Sequence, residues 1–86
     1  MDFDTACQAA RASPPVNDQD KLKLYALFKQ AVSGDAPVSA PSWFSGPTAV
    51  AKWTAWNQVR GLNATDSKNR YITHVQKLNK RMTDRQ

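Results

Sequence analysis

Tyr25 and Lys29 stand four residues apart, and Lys52 directly precedes Trp53, with Trp56 three further on. At those spacings Tyr25 and Lys29 share one helix face, and so do Trp53 and Trp56. Lysines placed beside aromatic side chains suit the non-covalent holding of an anion that carries an apolar part. They do not suit bond-making chemistry. The chain has one histidine (His74) and one cysteine (Cys7), and no pair of carboxylates lies near the aromatic segments, so no catalytic constellation is visible. One histidine and one cysteine also cannot make a His/Cys zinc site.

These residues need helices to position them, and four helical patterns are present without a convincing strand or internal repeat. The first spans Asp2 to Arg11, where Phe3, Ala6, Cys7 and Ala10 make one apolar face. Ser13-Pro14-Pro15 ends it, because a residue before proline resists helical geometry. The second begins at Asn17 or Asp18, both good caps. Its apolar residues, from Leu22 to Val32, surround much of the circumference, which predicts a central helix buried on two sides. Gly34 is expected to end it as a left-handed cap.

Ala36 to Gly46 reads as a long loop, rich in proline, with Trp43 and Phe44 expected to tuck against the helices and pin it. The third helix is expected from Pro47 to Arg60 with Ser45 as its cap and Gly61 as its end. Ala49, Lys52, Trp53, Trp56 and Val59 would then line one broad face, with the tryptophans as core. The fourth starts with Asn63 as cap and Asp66 three residues later, a loose relative of the capping box. Tyr71, Val75, Leu78 and Met82 form its core seam, and Thr83 to Gln86 a polar tail that frays. His74 reads as a surface residue and Cys7 as a small buried hydrophobe. Four helices with one long connection predict an all-α bundle of a single domain over residues 1–86. Pattern alone does not give its packing order.

Charge is uneven. Residues 1–49 carry a net −1 and residues 50–86 a net +6, within a total of +5. A basic half attracts nucleic acid, acidic membrane or a phosphorylated small molecule. A small basic helical module binding nucleic acid is the alternative reading, but the basic residues are spread round the fourth helix and no docking motif is present. The cluster Lys77, Lys80, Arg81 reads as a solvated helix end favourable to the dipole. One thiol, no apolar run of bilayer length and no basic-then-apolar start suggest a monomer of the cytoplasm.

The chain resembles the acyl-CoA-binding protein family over nearly its full length. The resemblance rests on Tyr25, Phe28-Lys29-Gln30-Ala31, Gly34-Asp35 and the block Ala51-Lys52-Trp53-Thr54-Ala55-Trp56-Asn57, with Phe3, Gly61 and Tyr71-Ile72 in register. It implies a four-helix bundle of up-down-down-up topology that binds long-chain acyl-CoA without catalysis and without a cofactor. It also implies transient contact with acyl-CoA-using enzymes or membranes. The family's residues for the 3′-phosphate carry over to Tyr25, Lys29 and Lys52, and its fourth-helix tyrosine to Tyr71. The basic position of the first helix carries to Arg11, and the apolar position lining the acyl groove to Leu22. Phe28 stands at a ligand-site position where the family commonly has a tyrosine. Ser45-Gly46-Pro47-Thr48 stands where a lysine is common, after an apparent one-residue insertion.

Overall fold

A computed structural model describes residues 1–42 and 45–84, with side chains as far as Lys80. The expectations placed on Trp43, Phe44, the side chain of Met82, and Arg85 and Gln86 of the tail lie outside that description, while Thr83 and Asp84, expected to fray, continue the last helix. Four α-helices are present: α1 (Phe3–Ala12), α2 (Asp18–Ser33), α3 (Pro47–Gln58) and α4 (Ala64–Asp84).

Local chemistry sets their ends. Asp2 is the N-cap of α1, its Oδ1 accepting from the Thr5 N–H at 2.7 Å. The Thr5 side chain first, and then this N–H, hold the Asp2 carboxyl below its ordinary value. Asn17 caps α2 by accepting from the N–H groups of Gln19 and Asp20. At α4, Asn63 accepts from the Asp66 N–H at 2.8 Å while its side-chain amide donates to the Asp66 carboxylate at 3.2 Å. This reciprocal pair does the work of a capping box with an amide in place of a backbone donor.

α3 departs from expectation at both ends. Its N-cap is Gly46 at φ 92°, not Ser45, and no side chain accepts there. Pro47 follows at the first helical position, where its missing N–H would be unpaired in any case. The helix closes at Gln58, and tight turns from Trp56 to Val59 and Asn57 to Arg60 carry the chain to Gly61.

Contacts between helices give the topology. Tyr25 meets Lys52 and Lys29 meets Trp56, so α2 and α3 run parallel. Asp20 meets His74 and Gln30 meets Leu62, just before α4, so α2 and α4 run antiparallel. Phe3 lies under Lys68 and Cys7 meets Tyr71, so α1 and α4 run parallel. The bundle is therefore up-down-down-up. α2 packs against α3 and α4, and α4 also against α1. α2 is the central helix that its apolar circumference predicted, burying Leu24, Ala26, Leu27 and Gln30. The core joins Ala6 and Cys7 of α1, Leu24 and Leu27 of α2, and Tyr71 and Val75 of α4. Cys7 is the small buried hydrophobe expected.

Two expectations are overturned. His74 is not on the surface: it is 8% exposed and bonds Asp20, Nε2 to Oδ1, at 3.0 Å. It lies three residues beyond Tyr71 on α4, on the edge of the seam that faces the start of α2. The α3 tryptophans are not deep core either, since no residue of α3 is fully buried. Their indole N–H groups reach back to the loop instead. Trp53 donates to the Pro37 carbonyl at 2.9 Å and Trp56 to that of Gly34 at 2.8 Å.

Candidate functional site

The start of the long loop is a built structure. Gly34 leaves α2 at φ 79°, ψ −150°, an extended mirror-image geometry rather than the left-handed helical cap expected. Asp35 then accepts from the Gln30 side-chain amide at 2.7 Å and from the Gly61 N–H at 2.8 Å. These two donors, Gly61 first, hold its carboxyl below the usual carboxylate value. The Arg60 guanidinium donates to the Ala36 carbonyl at 2.6 Å. Gln30, buried to 2% exposure, also donates to the Leu62 carbonyl at 2.9 Å. Gln30, Gly34, Asp35, both tryptophans and Gly61 thus lock the ends of α2, α3 and α4 together. The signature motifs are in large part this clamp.

The lock fixes α3 alongside α2 and sets two lysines on aromatic rings. Lys29 Nζ lies 5.0 Å from the Trp56 ring centre, and Lys52 Nζ lies 5.2 Å from that of Tyr25. Each pair joins α2 to α3, and each is worth about 0.5–1 kcal/mol where water has access. The rings hold the ammonium groups in place and leave their hydrogens to a further acceptor.

On the other side of Tyr25, a cavity of about 240 Å³ is lined by Arg11, Lys21, Tyr25, Phe28 and Tyr71, among others. Its aromatic wall is a cluster. Phe3 stacks on Phe28 at 6.1 Å and meets Tyr71 edge-on at 5.2 Å. Tyr71 is 5% exposed, with its hydroxyl beside the Cys7 thiol. Burial above all, and then the neighbouring thiol, push the Tyr71 hydroxyl up to about 12. Burial raises the Cys7 thiol as well. Tyr71 therefore stands in the cavity wall with its polar end turned into the core.

Six of the seven residues named from sequence group together, five of them about Tyr25: Arg11, Phe28 and Tyr71 at the cavity, Lys29 and Lys52 along the α2–α3 seam. Leu22 does not join them. It lines a larger cleft of about 950 Å³ between α2, α3 and α4, with Ala26, Ala51 and Ala55 on its apolar floor. Among the described residues no Cα of α3 lies within 8 Å of a Cα of α4, and this cleft opens between the two helices over α2. Lys21 also lines the smaller cavity and was not named from the sequence. Its signal was its position one turn before Tyr25, on the stripe that continues to Lys29.

The fold and its cation-bearing aromatic seam define an all-α module suited to an anionic ligand. Residues 1–75 match the family described as Acyl CoA binding protein. The chain is 38% identical over 80 residues to Acyl-CoA-binding protein homolog 1 of Caenorhabditis elegans, covering 91% of each. It is 34% identical over 84 residues to Diazepam-binding inhibitor-like 5 of Rattus norvegicus, covering 96% of this chain and 95% of that one. The crystal structure of Oryza sativa Acyl-CoA-Binding Protein 2 superposes with a TM-score of 0.87 at 30% identity, covering 95% of this chain and 91% of that one. The chain belongs to the acyl-CoA-binding protein family.

Proposed function

We propose that this protein binds long-chain fatty acyl-CoA esters reversibly and serves as their carrier and buffer, doing no chemistry on them. One observation carries this reading: lysines from two helices converge on a single aromatic seam, with Tyr25 common to that seam and to the neighbouring cavity. Lys29 and Lys52, with the Tyr25 hydroxyl, make a cradle for the ribose 3′-phosphate. Each ionic hydrogen bond contributes about 1.5–3 kcal/mol. Phe28 and Tyr71 offer flat apolar walls to the nucleotide, and Arg11 adds a cation at its rim. The hydrocarbon chain runs past Leu22 and Ala51 toward the larger cleft, where about 0.8 kcal/mol per buried methylene accrues before the costs of association.

Residues 1–86 act as one binding domain, monomeric and cytoplasmic, meeting the enzymes or membranes that supply and take the ester only transiently. Calorimetric titration with free coenzyme A and its octanoyl, myristoyl and palmitoyl esters, below their micelle concentrations, tests this. One-to-one binding that tightens with chain length and then levels is expected. Equal affinity for free coenzyme A and the palmitoyl ester would overturn it.

A further inference from the structure

The aromatic cavity holds a cation that no signature motif explains. Lys21 lines it together with Arg11, Tyr25, Phe28 and Tyr71, and among the described residues no carboxylate does. Lys21 and Arg11 come from different helices, α2 and α1, and meet at the same small cavity. The ion pair Lys21 makes with Asp18 is long, 4.0 Å, between side chains 52% and 93% exposed. A pair so open to water does not hold the ammonium away from another anion. Lys52 lies over the ring of Tyr25, which is also a wall of this cavity. Two cationic centres therefore flank Tyr25: on the α2–α3 seam Lys52 over its ring, with Lys29 one turn along α2 over Trp56, and on the α1–α2 side Arg11 with Lys21. A ligand with one anionic group would leave one centre uncompensated. A nucleotide phosphorylated at two separate points satisfies both.

We propose that Lys21, with Arg11, forms a second anion centre that holds the diphosphate bridge of the bound ester, while Lys29 and Lys52 hold the phosphate on the ribose. This rests on the acyl-CoA reading and assigns a role within it to a residue outside the family's carried-over set. The arginine fork and the lysine ammonium supply the several charge-assisted donors that a diphosphate requires.

A cycle that varies protein and ligand together tests it. Coenzyme A and 3′-dephospho-coenzyme A are titrated calorimetrically into the unaltered protein, Lys21→Met, Lys21→Arg and Lys52→Ala. Lys21→Met is expected to weaken both ligands equally, by roughly tenfold, the equivalent of one ionic hydrogen bond. Lys21→Arg restores most of that affinity. Lys52→Ala weakens only the ligand that has the 3′-phosphate. The thermal midpoint of both Lys21 variants stays at that of the unaltered protein, because the side chain is half exposed and packs no core.

If Lys21→Met binds both ligands as well as the unaltered protein does, this inference falls and the acyl-CoA reading stands. A loss that disappears with the dephosphorylated ligand moves Lys21 to the other phosphate and overturns the role assigned here. Failure of the unaltered protein to bind either coenzyme removes the acyl-CoA reading, and this inference with it.

Discussion

Lys29 and Lys52 each have a half-buried ring beneath the ammonium, Lys52 itself being exposed and Lys29 half-buried. A ring face attracts the charge but takes none of its hydrogen bonds, so each lysine is held where a phosphate can still use it. In the cradle proposed above, replacing either with alanine removes about 1.5–3 kcal/mol of ionic hydrogen bonding to the ligand and no more than about 1 kcal/mol of cation–π attraction from the fold. We expect Lys29→Ala and Lys52→Ala each to weaken palmitoyl-CoA by roughly ten- to a hundredfold, with thermal midpoints little moved. Unchanged affinity in both variants would remove the phosphate cradle. These lysines were legible because Tyr25 and Lys29 are one helical turn apart and Lys52 adjoins Trp53, spacings that a sequence displays directly. The bond between Asp20 and His74 was not legible, because its partners lie 54 residues apart. Nothing local marks a histidine as buried when only the approach of a distant helix covers it.

The segment from Gly34 to Pro37 shows the same limit for whole elements. Its composition says loop, yet Gln30, Trp53, Trp56, Arg60 and the Gly61 N–H all donate to it. Trp53 and Trp56 were legible as structural and misread as deep core, because hydrophobicity does not reveal that the indole N–H has a carbonyl to reach. The caps Asn17 and Asn63 were legible, since a cap is a contact within three residues. Gly34 sits in a backbone region that side chains scarcely enter, and a Cβ built there meets nothing within 4 Å. The cost of Gly34→Ala is therefore conformational, about 1–3 kcal/mol. At about 4–8 °C per kcal/mol for a domain of this size, a melting curve should show a loss of several degrees. An unshifted midpoint would mean that the loop relaxes to an ordinary geometry.

Asp35 gives this clamp a pH dependence. Its folded carboxyl lies below the unfolded value of 3.8. Its contribution is thus present above that value and lost as pH falls through the folded one. The gap in thermal midpoint between the unaltered protein and Asp35→Asn should shrink as pH drops below about 3.8. A gap that stays constant would show that the carboxylate's charge plays no part in the clamp.

Across the whole molecule, the order α1, α4, α2, α3 places α3 on one flank, joined to the rest through α2 and the loop clamp. Tyr71 is the matching node on the other side, touching Phe3 and Cys7 of α1 and Phe28 of α2. The seam containing Tyr71 was readable from its spacing. The packing order was not, because it depends on how faces of different helices fit one another, and only the family resemblance supplied it. Tyr71 makes the integrity of the bundle sensitive to alkali. Its phenol titrates at about 12 in the fold against 10.0 when unconstrained, so folding favours the neutral form. The stability this represents is complete below pH 10 and is lost as pH rises from 10 to about 12. Cys7, also raised by burial, adds a loss of the same sign beginning near its ordinary 9.0. Urea unfolding at successive pH values should therefore fall more steeply for the unaltered protein than for Tyr71→Phe, which keeps the ring but has no phenol to ionise. Three helices meet at this ring, so circular dichroism and aromatic fluorescence should report a single coincident loss. Parallel slopes for the two proteins would mean that the hydroxyl ionises as freely in the bundle as in the unfolded chain, and that the core around Cys7 admits water.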